Sequence, residues 1–69
     1  IRAMQIMLNG EPREVADNLR LDALLEQAGY GGRKVAVEVN LAVVARSQHA
    51  ACTLAEGDRV EIIHAIGGG

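Results

Sequence analysis

Only one stretch of this chain spaces its apolar side chains as a helix does, and it is short. Its apolar residues fall at positions i, i+3, i+4 and i+7, which places them on one helical face. They are Leu21, Leu24, Leu25 and Ala28. The segments on both sides alternate apolar and polar residues instead, as strands do. The helix needs a sheet to cover its leucine face, so the expected fold is α+β, with one main helix on one face of a mixed sheet.

The predicted element order is β-β-α-β-β-β. Asn9-Gly10 is a strong hairpin signal between the first two strands. Gly29 is the expected helix stop, residues 46–51 are ambiguous between a turn and a 3₁₀ helix, and Glu56-Gly57-Asp58 turns into the last strand. If the first and last strands lie side by side in the centre, the fold is a β-grasp (ubiquitin-like) sheet of four to five strands; the pattern alone leaves that order open. The predicted strands are residues 4–8, 13–16, 35–39, 42–44 and 59–66.

Size and composition exclude several classes of function. A chain of 69 residues makes a single domain, and its one aromatic residue, Tyr30, provides no stacking platform for bases. A net charge of -2 attracts phosphate backbones poorly, and no apolar run is long enough to span a bilayer. We therefore expect neither a nucleic-acid nor a membrane partner. One cysteine cannot form an internal disulfide, which favours the cytoplasm. Met4 is the expected natural start, with residues 1–3 an addition, so the domain is expected to be residues 4–69.

The sequence closes on Gly67, Gly68 and Gly69, directly after the last predicted strand. Glycine takes backbone angles closed to other residues and can follow a narrow path. Three extended residues reach on the order of 10 Å. Residues 67–69 are therefore predicted to form a flexible tail that carries an α-carboxylate into a partner's active site; the alternative is an end without function.

Several segments together resemble the bacterial sulfur carriers of thiamin biosynthesis, the ThiS family. They are residues 35–40, the turn at residues 54–58, the strand at residues 60–63 and the terminal Gly-Gly, all within a β-grasp plan. The resemblance runs from Met4 onward. Ubiquitin and the small subunit of molybdopterin synthase share the Gly-Gly end, but the short length and the combination of Glu-Gly-Asp with Ile-Gly-Gly-Gly favour the thiamin carriers.

The resemblance implies a carrier rather than an enzyme, without catalytic residues or a bound cofactor of its own. In the family, an adenylyltransferase similar to the ubiquitin-activating class uses ATP to adenylate the terminal glycine. Sulfur that comes ultimately from a cysteine desulfurase then converts it to a thiocarboxylate, which thiazole synthase uses. On this chain Gly69 would carry the sulfur, while Gly67 and Gly68 would enter the partner's active site. The chain departs from the family pattern at Arg20, Leu41 and Ala45, where a Ser or Thr cap, a polar turn residue and proline are usual.

Two side chains are candidates for docking a partner. Met7 and Ile63 both point away from the predicted helix-covered face. If their strands are central neighbours, we expect the two side chains to meet and form an exposed apolar patch. Such a patch would bind the activating enzyme.

Other residues that could carry chemistry have simpler interpretations. Cys52 has no basic neighbour in sequence that would activate it, and its spacing with His49 and His64 matches no strong zinc pattern, so we expect no metal site. Residues 29–34 resemble a phosphate-binding loop superficially, but the glycine spacing fails and Val35 replaces the magnesium-binding hydroxyl. A ubiquitin-like modifier, a molybdopterin-type carrier and a β-grasp interaction module with an irrelevant tail remain as alternative functions.

Overall fold

Five strands form one mixed sheet in the computed structural model, which describes residues 2–64. The strand order is β2-β1-β5-β3-β4, so the first and last strands are central neighbours. This order confirms the predicted β-grasp fold and settles the arrangement that the pattern left open. The elements are β1 (Ala3–Leu8), β2 (Glu11–Ala16), α1 (Leu21–Gln27), β3 (Val35–Val39), β4 (Ala42–Val44), a 3₁₀ helix (Arg46–Ala51) and β5 (Arg59–His64).

The β1–β2 hairpin turns through Asn9 and Gly10, as predicted. Both residues have left-handed backbones, with φ 50° and 84°, which is the geometry that a two-residue hairpin turn requires. Strand β2 begins at Glu11, two residues before the predicted start, and so includes Pro12 opposite Met7. A proline fits there because β2 is an edge strand, where a missing N–H breaks no inner ladder.

The central strand β5 is held differently on its two sides. It pairs antiparallel with the whole of β3, from Val60 opposite Val39 to His64 opposite Val35. Its parallel pairing with β1 is short, with Met7 level with Arg59 and Leu8 level with Val60. Asn9 extends this pairing beyond the end of β1. Its backbone N–H donates to the Val60 carbonyl at 2.9 Å, and its side-chain Oδ1 accepts from the Ile62 N–H at 2.7 Å.

The core lies between α1 and the inner face of the sheet. The helix contributes its predicted leucine face, and alternate residues of the strands contribute the rest. The outer face of the sheet carries no covering layer among the residues described. Neither helix in this part of the chain has the length and apolar character needed to cross a bilayer. The buried apolar residues are Met4, Ile6, Val15, Leu21, Leu24, Leu25, Val37, Leu54, Val60 and Ile62.

Helix α1 begins without a side-chain cap. Arg20 occupies the N-cap position and its side chain makes no capping bond. Asn18, whose side chain is of a type that often caps helices, lies two residues earlier in a left-handed turn with φ 62°. Asp22 compensates in part, because its Oδ1 accepts from the Ala23 N–H at 2.9 Å and from Arg20 Nε at 3.2 Å. A carboxylate in the first turn also interacts favourably with the helix dipole.

The other end of α1 confirms the predicted glycine stop. Gly29 has φ 91°, an angle that costs glycine little. The Gly29 N–H donates to the Glu26 carbonyl at 3.2 Å, and the Tyr30 N–H donates to the Leu25 carbonyl at 2.8 Å. These two bonds define a Schellman motif. They fix Tyr30 immediately after the helix.

Candidate functional site

The predicted site begins where the described residues end. Gly67, Gly68 and Gly69 lie outside residues 2–64, so the tail stays a prediction from sequence. The structure does place the strand that leads to it. Strand β5 ends at His64 and lies between β1 and β3 in the sheet. Residues 65–69 therefore continue from an inner strand of the domain.

An aromatic and cationic cluster surrounds the end of β5. The His64 and Tyr30 ring centroids are 5.6 Å apart with a 48° angle between the planes, which is a favourable separation for aromatic rings. The Arg33 guanidinium carbon is 5.6 Å from the Tyr30 ring centroid, within the range of a cation–π contact. The Nδ1 atom of His64 is buried and has no hydrogen-bond partner among the residues described. The loop after α1 thus packs against the end of β5.

Met7 and Ile63 do not form the predicted patch. Both belong to the outer face, where Ile63 is 54% exposed, but the parallel register puts Met7 level with Arg59. Ile63 lies four residues beyond Arg59, or on the order of 13 Å along the strand. The expectation of contact is wrong because neighbouring strands need not be level, and β1 ends before it reaches Ile63. The cross-strand partner of Ile63 is Ala36.

The other large exposed apolar side chains lie on the opposite side of β5 from Met7. Leu41 is 85% exposed at the tip of the β3–β4 hairpin, and Val43 is 73% exposed on β4. Val43 pairs with Glu38, and Glu38 pairs with Glu61 on β5. We call Leu41, Val43, Ile63, Glu38 and Glu61 together the outer patch. Sequence reasoning found only Ile63, although the alternation of β3 and β5 already placed both glutamates on that face.

Cys52 and His49 have structural surroundings. Cys52 packs against the core and is half-buried. Burial, followed by the nearby Asp58 carboxylate, raises the pKa of the Cys52 thiol above its usual value. The thiol therefore stays protonated near neutral pH and is a poor nucleophile. His49 is buried, with Nε2 3.1 Å from the Val44 carbonyl oxygen. Within residues 2–64, no three His, Cys, Asp or Glu side chains are grouped to hold a metal ion.

Two asparagines hold β5 in place, a role that the sequence analysis assigned to neither of them. Asn9 does so from the β1 side, as described above. Asn40, on the β3 side, accepts from the Arg59 N–H through Oδ1 at 3.0 Å and donates through Nδ2 to Asp58 Oδ1 at 3.0 Å. Both asparagines have positive φ, 50° and 52°. The sequence signal was present, because asparagine is among the few residues that readily adopt this conformation.

Comparison with known proteins gives relatives of two kinds. Thiazole synthases from Magnetococcus marinus and Paramagnetospirillum magneticum are 47% and 42% identical to this chain over 66 residues, which is 96% of this chain and 20% of each synthase. The chain thus spans one fifth of the length of these relatives. An uncharacterized protein, ycf40, from Porphyra purpurea is 30% identical over 66 residues, covering 96% of this chain and 93% of that protein.

A solved structure matches the fold along nearly the whole chain. The crystal structure of the thiamine biosynthesis protein ThiS from Geobacter metallireducens has a TM-score of 0.82 and 35% sequence identity, and the match covers 96% of this chain and 100% of that one. The model of the ThiS family matches residues 6–69, from β1 through the three final glycines. This chain therefore belongs to the ThiS family.

Proposed function

We propose that this chain is a sulfur carrier of thiamin biosynthesis, and that Gly69 carries the sulfur as a thiocarboxylate. The observation that carries the proposal is the ThiS family match, which extends over residues 6–69 and so includes the glycine tail. The thiamine biosynthesis protein of the same fold supports the same pathway. In this role the chain is a co-substrate, and its partners supply the catalysis.

The chemistry explains why the carrier needs activation. A carboxylate resists nucleophiles, because its negative charge repels them and oxide is a poor leaving group. In the proposed reaction a Gly69 carboxylate oxygen attacks the α-phosphorus of ATP and pyrophosphate leaves. A persulfide sulfur then attacks the acyl carbon and AMP leaves. A second thiol of the sulfur donor finally attacks the inner sulfur, the donor cysteine's own Sγ, and forms a disulfide with it. The S–S bond to the outer sulfur breaks, and that sulfur leaves with the acyl group as the thiocarboxylate. Three easier steps thus replace one difficult step.

The partners follow from this sequence of reactions. An adenylyltransferase similar to the ubiquitin-activating class would use the ATP, and a cysteine desulfurase would supply the sulfur indirectly. Thiazole synthase would take the sulfur from Gly69. The two thiazole synthases that contain a segment similar to this chain support that last partner, because joining two domains in one chain raises the effective concentration of one at the other.

The test is intact-mass spectrometry of the chain after incubation with ATP, the cognate adenylyltransferase and a sulfur source. We expect one oxygen to be replaced by one sulfur, with fragmentation placing the change at Gly69. The control is a second sulfur carrier that the same adenylyltransferase activates. If that carrier gains sulfur and the mass of this chain stays unchanged, the proposal is overturned. Conjugation of the chain to lysines of other proteins, seen as a ladder on blots, would indicate a ubiquitin-like modifier instead.

Substitution of Gly68 tests the role of the tail. A Cβ and two methyl groups at this position should obstruct a narrow active-site channel, so we expect Gly68→Val to abolish thiocarboxylate formation. The fold should be unaffected, because Gly68 lies beyond the strands and the helix that bury the core of residues 2–64. The measurement is the same mass assay, with circular dichroism as the control for folding. Normal sulfur loading of Gly68→Val would contradict the proposed threading of the tail.

A further inference from the structure

The exposed apolar side chains of the outer sheet face are concentrated on one half of it. Among residues 2–64 the large exposed apolar residues are Leu41, Val43 and Ile63, at 85%, 73% and 54% exposure. All three belong to β4, β5 or the turn before β4. The half formed by β1 and β2 has no counterpart among the residues described. An uncovered apolar face that is confined to one region marks an interaction surface.

Two carboxylates lie in the middle of this outer patch. Glu38 and Glu61 are directly opposite each other in the antiparallel β3–β5 pair. Like charges in this position destabilise a sheet. Neither forms an ion pair within residues 2–64, where the recorded salt bridge joins Arg20 to Asp22. Within residues 2–64 the two carboxylates therefore stay without an ion pair between Val43 on one side and Ile63 on the other, although the exposed Arg59 lies two residues before Glu61 on the same face.

The charge selects among the possible occupants. A second copy of this chain would bring four carboxylates together across the interface, which electrostatics opposes. Nucleic acid would present phosphates to the same carboxylates. A protein surface with an arginine or lysine at its centre and apolar side chains around it would neutralise the pair and cover the exposed apolar residues. The patch is complementary to a surface of that kind.

We infer that the outer patch binds the adenylating enzyme, through an arginine or lysine of that enzyme set between Glu38 and Glu61. The inference rests on the proposed function, in which this enzyme is the partner that must bind the chain in its unmodified form. The position of the patch fits that role. Ile63 lies six residues before Gly69, so about 20 Å of extended chain can join the patch to the active site.

Steady-state kinetics of thiocarboxylate formation test the inference. Glu61→Lys places a cation against the enzyme's cation, and we expect it to raise KM about tenfold or more with little change in kcat. Val43→Ser removes apolar contact without charge and should raise KM by about threefold or more. Glu14→Lys is the matched control, because Glu14 is an exposed outer-face glutamate on edge strand β2, opposite Gln5. Its KM should stay within about twofold of the parent value.

A second variant separates docking from folding. Glu61→Gln removes the repulsion with Glu38, so its midpoint of urea unfolding should equal or exceed that of the parent while its KM rises. A residue with a purely structural role would lower the midpoint and leave KM unchanged. Raising the ionic strength should narrow the KM difference between the parent and Glu61→Gln, because salt screens exposed charges.

The outcomes distinguish this inference from the proposed function. If the parent chain acquires sulfur and the KM values of Glu61→Lys and Val43→Ser are unchanged, the docking inference is overturned and the carrier function still stands. If the parent never acquires sulfur, titration calorimetry of the same variants with the adenylating enzyme decides docking by itself, and equal affinities would overturn it. Weaker binding of the variants to thiazole synthase alone would also overturn it, because the occupant would then be the synthase.

Discussion

At the scale of single residues, Leu41 is the clearest conflict between side chain and backbone. Asn40 and Leu41 form the β3–β4 turn with φ 52° and 72°. Asparagine tolerates this region, but an L-residue with a branched carbon chain pays about 1–2 kcal/mol for it. Leu41 is also 85% exposed, so packing of its side chain does not offset this strain in the free domain. A position that is unfavourable in both respects fits the view that its side chain serves a contact with another molecule.

Replacement of Leu41 tests this conflict. We expect Leu41→Gly to raise the free energy of unfolding by about 0.5–1 kcal/mol, because relief of left-handed strain exceeds the added entropy of the unfolded glycine. Leu41→Ala keeps the Cβ and should give no such gain. Urea unfolding at fixed pH measures both. An equal gain from the two variants would show that apolar exposure, rather than backbone strain, is what Leu41 costs.

At the scale of the elements, the position of β5 depends on side chains that replace strand pairing. Strand β1 stops at Leu8, and the Asn9 side chain then accepts from the Ile62 N–H at 2.7 Å. Without that oxygen, the N–H of a buried residue has no acceptor. Its desolvation then opposes folding.

Asn9 variants measure this contribution. Asn9→Gly keeps the left-handed turn but removes the acceptor, so we expect it to lower the free energy of unfolding by about 1–2 kcal/mol. Asn9→Asp keeps both the acceptor and a residue that tolerates the turn, and should lose much less. Chemical denaturation checks the difference, and hydrogen exchange should show faster exchange at Ile62 in Asn9→Gly alone. Equal stability of the two variants would contradict the role assigned to Oδ1.

The elements could be predicted from sequence because each is encoded locally. Strands β3 and β4 have the predicted bounds, and Gly29 ends α1 as expected. Register between strands that are distant in sequence has no local signal, which is why the predicted contact between Met7 and Ile63 is wrong. The same limit hid the pairing of Glu38 with Glu61, since two alternating strands do not reveal which residues face each other. The glycine tail was predicted from its composition alone and, because it lies outside the described residues, it stays a prediction.

At the scale of the whole molecule, the stability of the domain should depend on the ionisation of one thiol. Burial and the Asp58 carboxylate raise the pKa of Cys52 in the folded state. The folded state therefore holds this proton more tightly than the unfolded state does. The stability that this proton contributes is therefore fully present below the unfolded-state pKa of about 8.5. It is lost as the pH rises through the higher folded-state pKa.

The pH dependence of unfolding checks this linkage. We expect the free energy of unfolding of the parent chain to fall more steeply than that of Cys52→Ala as the pH rises above about 8.5. The comparison of the two slopes cancels the contribution of every group that both chains share. Parallel curves for the two chains would mean that the Cys52 thiol has the same pKa folded and unfolded. Slow alkylation of Cys52 at neutral pH, relative to a free thiol, is the accompanying chemical readout.

The placement of β5 between β1 and β3 has a mechanical consequence. In the proposed function, an enzyme that draws Gly69 into its active site would pull on the end of an inner strand. The backbone bonds on the β3 side lie across that axis, so they share the load in shear instead of opening one after another as an edge strand would. In the proposed function, the end that a partner would bind thus continues from an inner strand, and a pull on it would load several backbone hydrogen bonds of the sheet at once.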